Sequence, residues 1–509
     1  MKGETVAAVI HHAGTSTEVT ADNQTVLDAI QKLNIEFSAP CGGNGTCKKC
    51  QVPVRDASGL HTVLACQTKL ADVMDVFVED QAPMVVQESG SASHFEGKPG
   101  ANGYGISVDV GTTTMVCRLH RLSDGTLLAT AGQANPQGVY GADVISRISA
   151  SVDGHLDDMC DLLLDSLSSM IDTVCKKVGV NRSEIVDAVL VGNTTMENIA
   201  ARLAPDSIGV APFEPLSKFG TVEDLSPFFG ATYLAPCQSG YVGGDITAGI
   251  LATRMYEAEK PIVFLDLGTN GELAVGNRDR IVSCATAAGP VFEGAGIYCG
   301  MSARPGAISK VRAGENPGEL ELTVLGDVDP EGICGTGLVE GLAFLLEQGI
   351  ILPSGAMAKP GTFEGPLGER IVERDGMPAF LLDADHDVFI SQADVRKVQM
   401  AKGAIEGGIL TILDECGIQL EDVGEMLIAG GFGSFLSVDA AAAIGLFPRE
   451  LRDRARSVGN SAIEGASLML LSDEARATTQ LIADTSEYVE LSTSSKFYEL
   501  YMTVMTFDK

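Results

Sequence analysis

The chain has 509 residues, a formal net charge of -33 at pH 7 and 12 cysteines. This length exceeds what one hydrophobic core usually supports, so we expect two to four domains. The negative charge argues against nucleic-acid binding, because phosphate contacts need clustered Lys and Arg. We find no cationic start followed by an apolar stretch, and no apolar run of about 18 residues, and therefore expect a cytoplasmic protein without membrane contact.

Four cysteines are closely spaced near the N-terminus. Cys41, Cys47 and Cys50 lie in the glycine-rich loop CGGNGTCKKC, and Cys66 follows in LACQ. Plant-type ferredoxins bind a [2Fe-2S] cluster with C-x4-C-x2-C and a distant fourth cysteine, so the first gap here has one additional residue. Glycines let backbone N-H groups turn toward the sulfurs. Four thiolates could instead bind structural zinc, and a visible absorption spectrum would separate the two.

Residues 1–82 contain short Val/Ile-rich runs and one amphipathic helical stretch, TVLDAIQKLNI. This order of strand, strand, helix and ligand loop, together with LACQ, resembles the β-grasp ferredoxins. The resemblance implies a [2Fe-2S] cluster held by Cys41, Cys47, Cys50 and Cys66. The other eight cysteines are isolated in apolar or Gly-rich segments, which predicts buried thiols.

A polar, glycine- and serine-rich stretch separates this region from the rest. Residues 83–103, which include QESGSASHFEGKPGANG, show no hydrophobic periodicity and are predicted to form a flexible linker. A tether of this length spans about 20 to 25 Å on average, enough for the first domain to move between an electron donor and an acceptor.

A strand followed by Asp-x-Gly-Thr and a returning strand occurs twice. YGISVDVGTTTMVCRL contains Asp109, and IVFLDLGTNGELAVG contains Asp266. The repeat predicts a duplicated domain whose lobes, residues 104–258 and 259–509, face each other across a cleft. Tight hairpins of small residues present N-H groups and hydroxyls to phosphates, and a carboxylate at each start can hold Mg²⁺ through water. A single copy could equally be an ordinary β-turn.

The candidate site residues come from these hairpins and from the glycine-rich motifs that follow. Asp109 and Asp266 are the predicted catalytic residues, which would organise Mg²⁺ and the attacking water. The candidate phosphate-binding residues are Gly111, Thr112, Thr113, Thr114, Gly268, Thr269, Asn270 and Gly271. Polar candidates that could equally cap helices or close turns are Asn193, Thr194, Asp245, Glu272 and Glu293. Glycines that would let nucleotide approach the backbone are Gly289, Gly335, Gly430, Gly431 and Gly433, the last three on the adenosine side.

The two Asp hairpins and the late GGFG resemble the superfamily of acetate and sugar kinases, heat-shock chaperone ATPases and actin (ASKHA). The motifs NPQGVYGADVISRI, GNTTM, YVGGDITA, GICGTGL and DVRKVQMAKGAIEGG narrow the match. Together they resemble the reductive activators of corrinoid enzymes over essentially the whole chain. The expected fold class is therefore α+β and α/β multidomain, with a β-grasp ferredoxin domain preceding a two-lobed ASKHA ATPase.

This resemblance implies ATP-dependent electron transfer. One electron would pass from the cluster to Co(II) of a corrinoid protein and regenerate Co(I) for methyl transfer, with an upstream low-potential electron donor and a homodimeric ATPase. Plant-type clusters lie near about -400 mV. An uphill gap of a few hundred millivolts costs roughly 5 to 7 kcal/mol, more than the 1 to 3 kcal/mol of ordinary site coupling. ATP is therefore expected to drive a conformational change.

Three other classes compete with this interpretation. A small-metabolite kinase regulated by its ferredoxin domain would transfer phosphate to an added substrate. A nucleotide-gated binding partner would bind a corrinoid protein without reducing it. An activator of radical dehydratases also joins an iron-sulfur centre to this ATPase fold, but its cysteines lie inside the ATPase domain, so the N-terminal ferredoxin domain disfavours it.

Overall fold

A computed structural model describes residues 7–12, 14–20, 24–33, 35, 37, 43, 45, 50–78, 95–98 and 100–507. Within these ranges no helix is both long and apolar enough to span a bilayer. The described residues form an N-terminal domain and the two lobes of a larger unit, which are called lobe 1 and lobe 2 below.

The N-terminal domain is a five-stranded sheet with one helix packed on it. Its elements are β1 (Ala7–His12), β2 (Thr15–Thr20), α1 (Val26–Lys32), β3 (Gln51–Asp56), β4 (Gly59–Leu64) and β5 (Asp75–Phe77). The sheet order is β2-β1-β5-β3-β4, with β1 parallel to β5 and the other pairs antiparallel. This order confirms the predicted β-grasp ferredoxin fold.

Helix α1 begins where its sequence places a capping box. The Thr25 hydroxyl accepts from the Asp28 N-H at 3.1 Å, and the Asp28 carboxylate accepts from the Thr25 N-H at 2.7 Å. Val26 and Ile30 are fully buried against the sheet, as the amphipathic pattern predicts.

The C-terminal end of the predicted linker is packed. Phe95 is buried and meets the ring of His120 edge to face at 5.3 Å. Lys98 pairs with Asp473 at 3.0 Å, and its N-H donates to the Leu122 carbonyl at 2.8 Å. An aromatic ring in a polar stretch is stabilised by burial. Phe95 and Lys98, at the C-terminal end of the predicted linker, are therefore packed on the larger unit, and residues 79–94 lie outside the described ranges.

Lobe 1 is built on a six-stranded sheet of order β10-β11-β9-β6-β7-β8. Its strands are β6 (Tyr104–Val110), β7 (Thr114–Arg121), β8 (Leu127–Ala134), β9 (Ile185–Gly192), β10 (Thr221–Leu225) and β11 (Phe229–Leu234). Its helices are α2 (Val144–Ala150), α3 (Leu156–Val178), α4 (Thr194–Ala200) and α5 (Gly244–Thr253). Strands β6, β7 and β8 form antiparallel hairpins, whereas β6 and β9 run parallel.

Lobe 2 repeats this plan with the sheet order β22-β21-β12-β13-β14-β23. The strands of that sheet are β12 (Ile262–Leu267), β13 (Gly271–Gly276), β14 (Ile281–Thr286), β21 (Glu425–Ala429), β22 (Ala455–Gly459) and β23 (Glu487–Tyr488). Two smaller sheets contain β15 (Ala307–Ala313), β16 (Leu320–Val324), β17 (Gly332–Ile333), β18 (Ile371–Arg374), β19 (Met377–Asp383) and β20 (Val388–Ser391). The helices are α6 (Gly335–Glu347), α7 (Gln392–Cys416), α8 (Val438–Ala443), α9 (Ser461–Leu471), α10 (Asp473–Thr485) and α11 (Ser495–Val504).

Two helices cross between the lobes and share one apolar core. Helix α5 follows the lobe 1 strands, yet a Cβ on its Gly249 would lie 2.6 Å from the ring of Phe264 in β12. Helix α9 follows the lobe 2 strands, yet its Ser467 hydroxyl lies 3.0 Å from that of Ser107 in β6. Each lobe therefore packs on a helix from the other half of the repeat, which confirms the predicted pair of facing ASKHA lobes.

Candidate functional site

The described part of the cysteine motif forms a buried sulfur pair. Cys50, before β3, and Cys66, after β4, are 1% and 7% exposed, and their Sγ atoms lie 3.3 Å apart. The Gln67 amide donates to the Cys66 sulfur at 3.8 Å. Cys41 and Cys47 lie outside the described residues.

This sulfur pair fits two ligands of one metal ion. A disulfide would bring the sulfurs to about 2.05 Å, whereas two thiolates at about 2.3 Å from one tetrahedral ion are separated by about 3.7 Å. Gly43 and Gly45 have φ values of 87° and 72°, which glycine adopts without cost. A Cβ on Gly43 would lie 3.9 Å from the Cβ of Cys66, so Gly43 lies close to this cysteine. The Gln67 side-chain amide is one donor toward the negative charge of the sulfurs.

The first Asp-x-Gly-Thr hairpin, residues 109–114, connects β6 to β7, and hydrogen bonds from Asn135 and Arg147 to its backbone carbonyls fix it in place. Asn135 donates to the Gly111 carbonyl through Nδ2 at 2.8 Å and to the Thr113 carbonyl through its backbone N-H at 2.8 Å. The buried Arg147 guanidinium donates to the Thr112 carbonyl. These bonds fix the backbone of the hairpin and leave the Thr113 hydroxyl to donate to Glu293.

Asn460 bonds to the Asp109 carboxylate, which also interacts electrostatically with Arg118. Asn460, which caps the N-terminus of α9, donates from Nδ2 to Asp109 Oδ2 at 2.7 Å. Burial raises the pKa of Asp109 to about 6, while the Asn460 hydrogen bond and the Arg118 charge oppose that rise. Asp109 is thus a desolvated carboxyl that holds its proton more tightly than an exposed aspartate does.

The second hairpin, residues 266–271, places two acids directly opposite each other. Asp266 at the end of β12 is the cross-strand partner of Glu272 at the start of β13. Burial raises the pKa of Asp266 to about 7, and the nearby Asp109 adds to the rise. Burial also raises the pKa of Glu272 well above its usual range, with further contributions from Asp245 and Asp266. Like charges in such pairs destabilise a sheet unless a cation or a proton compensates them.

Two further acids extend this group. Asp245 lies in the first turn of α5, and burial together with Asp266 and Asp109 raises its pKa well above its usual range. Glu197 in α4 is fully buried, and neither carboxylate oxygen has a hydrogen-bond partner among the described residues. Burial raises the pKa of Glu197 strongly, and Asp245 contributes. The cleft therefore concentrates negative charge that a divalent cation would neutralise.

These carboxylates fit Mg²⁺ better than a cation that needs a complete protein cage. Among the described residues no three His, Cys, Asp or Glu side chains stand in ligand geometry around one point. Mg²⁺ normally keeps several waters and takes one or two carboxylates together with substrate phosphates. Asp109 and Asp266 are the residues that would hold Mg²⁺ beside the phosphate chain.

The other predicted residues surround the same cleft with different functions. Asn193 donates to the Thr112 hydroxyl at 2.9 Å and also caps α4 by accepting from the Met196 N-H at 3.0 Å. The Thr194 hydroxyl donates to the Ser239 carbonyl at 2.6 Å, so it connects the start of α4 to a loop 45 residues further along the chain. Glu293 accepts hydrogen bonds from both hairpins, through Thr113 and Thr269. Thr114 and Asn270 are half-buried in the hairpins.

Five of the eight predicted glycines allow close packing, and three do not. A Cβ on Gly111, Gly271 or Gly430 would lie less than 3.0 Å from Thr114, Thr286 or Leu267. Gly430 also has a φ of 94°, and a Cβ there would approach the Asp266 carboxylate at 2.8 Å. Gly335 packs against Phe292 and Gly433 against Ile428. At the other three positions a Cβ would have room: its nearest neighbour would lie 3.9 Å away at Gly268, and none would lie within 4 Å at Gly289, which has a φ of 71°, or at the exposed Gly431.

Sequence reasoning missed three residues of the cleft: Arg147, Glu197 and Asn460. Arg147 lies within the motif NPQGVYGADVISRI, and Glu197 directly follows the motif GNTTM. A charged residue in a short apolar helix such as TTMENIA is the signal that could have marked Glu197. Asn460 lies 351 residues from Asp109 in sequence. No local pattern connects two residues so far apart.

The fold and site define a class: a ferredoxin-type domain joined to a two-lobed ASKHA ATPase with an acidic nucleotide cleft. Comparisons with known families agree. Residues 10–71 match the 2Fe-2S iron-sulfur cluster binding domain, residues 104–258 the RACo middle region, and residues 260–509 the C-terminal domain of RACo, its ASKHA domain. The chain belongs to the RACo family, with a [2Fe-2S] cluster, ATP and Mg²⁺ as cofactors.

Individual relatives resemble this chain over most of its length. It is 31% identical to the corrinoid activation enzyme RamQ of Eubacterium limosum, over 94% of this chain and 95% of the relative. It is 24% identical to the [Co(II) methylated amine-specific corrinoid protein] reductase of Methanosarcina barkeri, over 79% and 77% of the two chains. A solved structure of a reductive activator for corrinoid, iron-sulfur protein is 28% identical, covers 98% of each chain and superposes with a TM-score of 0.72.

Proposed function

We propose that this chain is the ATP-dependent reductive activator of a corrinoid protein, and passes one electron to Co(II) so that Co(I) is regenerated for methyl transfer. The corrinoid protein is the partner and its cobalt is the substrate. When bound, the [2Fe-2S] cluster supplies the electron at low potential and Mg²⁺-ATP supplies free energy. The protein residues bind, orient and couple these groups.

The observation that carries this proposal is a hydrogen-bonded connection between the two halves of the molecule. Asn135, whose N-H and Nδ2 hold the first hairpin, also caps the 3-10 turn Pro136–Tyr140 by accepting from the Gln137 N-H at 3.0 Å. In the same turn, the Val139 carbonyl accepts from the Gln31 amide of α1. Helix α1 in turn packs beside Cys66, since the Leu27 N-H donates to the carbonyl of Ala65, the preceding residue, at 3.1 Å.

This connection gives nucleotide binding a route to the ferredoxin domain. A phosphate that repositions the first hairpin also moves Asn135 and the turn that Gln31 contacts. Packed elements with two arrangements convert such small shifts into domain movement. A metabolite kinase would not need its phosphate hairpin bonded to a ferredoxin domain, so the coupling favours electron transfer over phosphorylation of a substrate.

Several finer features belong to the same proposal. Cys41, Cys47, Cys50 and Cys66 hold the cluster, and the site residues named above bind Mg²⁺-ATP. The domains extend over residues 1–82, 104–258 and 259–509, with residues 83–103 between the first two. An upstream low-potential donor reduces the cluster again after each turnover. The activator is a homodimer in the cytoplasm.

The test is an anaerobic mixture of reduced protein, ATP and a Co(II) corrinoid protein, monitored by the visible absorption of Co(I). We expect Co(I) to form with ATP and to form at least tenfold more slowly without nucleotide, because an uphill transfer of this size exceeds ordinary site coupling. Cys66→Ser is the matched control, which should prevent reduction while ATP hydrolysis continues. Equal rates with and without ATP would refute the coupling, and phosphorylation of an added metabolite would favour the kinase.

A further inference from the structure

Glu293 lies between the tips of the two phosphate hairpins. It ends the 3-10 turn Pro290–Glu293 in lobe 2. The Thr113 hydroxyl of the first hairpin donates to Glu293 Oε2 at 2.8 Å, and the Thr269 hydroxyl of the second hairpin donates to the same oxygen at 3.1 Å. The two hydroxyls are 3.3 Å apart. The Thr269 hydroxyl also lies 3.2 Å from Glu293 Oε1. The Glu293 carboxylate therefore joins the two hairpins, with Oε2 bonded to both.

Both hydroxyls belong to residues, Thr113 and Thr269, that the hairpin sequences predict to bind phosphate. Two donors that converge on one anionic oxygen form the arrangement that a phosphate oxygen accepts. Glu293 Oε2 takes that place in this structure. A phosphate oxygen and the carboxylate oxygen cannot share the position, and their like charges repel each other.

The surroundings of Glu293 connect it to other parts of the cleft. The Arg147 charge acts on Glu293 and opposes the rise in its pKa that burial causes. The preceding Phe292 stacks on Phe432 of the GGFG loop with ring centroids 5.6 Å apart. Gly335 at the start of α6 packs directly on the Phe292 carbonyl. A displacement of Glu293 would therefore disturb both the adenosine-side loop and the N-terminus of α6.

We propose that Glu293 is an internal competitor of the ATP phosphates: its carboxylate bridges Thr113 and Thr269, and ATP must displace it to bind. This inference rests on the proposed nucleotide function and changes the role of Glu293 from ligand to competitor. Displacement breaks a bridge between the lobes and moves the turn that carries Phe292. The arrival of ATP is thereby converted into movement of lobe 2 against lobe 1.

The test compares nucleotide affinity in Glu293 variants of the full-length, cluster-loaded protein. Binding of a non-hydrolysable ATP analogue with Mg²⁺ is measured by isothermal titration calorimetry. We expect Glu293→Ala to bind the analogue about tenfold more tightly than the wild type, within the usual range of coupling between sites. Glu293→Gln should show a smaller gain, because its amide oxygen still accepts from the threonines without a negative charge. Glu340→Gln in α6 removes the same charge from a carboxylate without a hairpin contact and should leave the affinity unchanged.

Thermal unfolding gives a second readout. Without nucleotide, the Tm of Glu293→Ala should fall below that of the wild type because the bridge is lost, whereas the difference should disappear with saturating analogue. The proposal would be overturned if both Glu293 variants bind the analogue with the same affinity as the wild type or more weakly. This holds also if the variants lose ATP hydrolysis. If the wild type binds the analogue and neither Glu293 variant binds it more tightly, only the competitor role of Glu293 is refuted, and the proposed function is unaffected. A wild-type chain that binds no nucleotide would overturn both.

Discussion

The two phosphate hairpins share a motif and a strand arrangement, but different neighbours surround their aspartates. Asp109 receives a hydrogen bond from Asn460 and lies within range of the Arg118 charge. Asp266 faces Glu272 across the strand pair, and its pKa is shifted by burial and by Asp109, with no hydrogen bond from the described residues to lower it. The pKa values, about 6 for Asp109 and about 7 for Asp266, follow this difference. The same motif thus gives a carboxylate that is stabilised by a hydrogen bond, Asp109, and a carboxylate that is surrounded by other acids, Asp266.

We therefore expect Asp266 of the second hairpin to contribute more to Mg²⁺ affinity than Asp109 of the first. A carboxylate among other acids is stabilised most by a divalent cation. The cation offsets the cost of burying the charged carboxylate and the repulsion between it and the neighbouring acids. Asp109, already stabilised by an amide, has less to gain. Substitution of each aspartate in turn tests this expectation.

The largest expected effect is on ATP hydrolysis. Asp266→Asn should lower the Mg²⁺-dependent rate by about 100- to 1000-fold, the loss typical when one preorganised electrostatic contact is removed. Asp109→Asn should lower it by about tenfold, because Asn460 and Arg118 remain to organise that side. Phosphate release under saturating ATP measures both rates. Equal losses, or a larger loss for Asp109→Asn, would contradict the asymmetry between the hairpins.

The next effect is a pH dependence of stability and of Mg²⁺ binding. The folded-state pKa values of Asp109 and Asp266 exceed their ordinary value of 3.8, so the folded chain retains protons that the unfolded chain loses. The stability that these groups contribute therefore falls as the pH rises from about 4 through 7. Mg²⁺ competes with these protons. It should raise the Tm more at pH 7.5 than at pH 5.5, as differential scanning fluorimetry would show.

Asp266→Asn provides the control for this pH effect. The variant keeps the size of the side chain but cannot ionise, so most of the difference between the two Mg²⁺-induced Tm shifts should disappear. Asp109→Asn should retain the greater part of the difference. A Mg²⁺ response independent of pH in the wild type would show that neither carboxyl binds the cation in place of a proton.

The smallest effect concerns the contact that distinguishes the first hairpin. Asn460→Ala removes both the cap of α9 and the donor to Asp109, so it should lower the Tm by about 2 to 4 °C and hydrolysis by a few-fold. Asn460→Ser retains a capping oxygen but is too short to reach Asp109, and should restore the Tm without restoring the rate. If Ser restores both, Asn460 acts only as a helix cap.

Much of this site follows from local sequence, and the rest depends on long-range packing. The hairpins at Asp109 and Asp266 and helix α1 were predictable because small turn residues, capping residues and apolar periodicity act within a few positions. Asn460 reaches Asp109 only because α9 crosses to the other lobe. Glu197 becomes a cleft residue only because α4 and α5 begin side by side. Tertiary contacts of this kind leave no periodic trace in one sequence.

The burial of Phe95 sets a geometric limit on where the electron can be delivered. Phe95 packs against His120, whose strand partner Gly105 lies near the start of β6, at the end opposite Asp109. Sixteen residues separate Val78 of the ferredoxin domain from Phe95 in the sequence. Because a chain spans at most about 3.3 to 3.6 Å per residue, Val78 can lie no further than about 55 to 60 Å from Phe95. An acceptor must therefore bring its cobalt to a ferredoxin domain that stays within this distance of Phe95, and deletions between the two residues should shorten the distance.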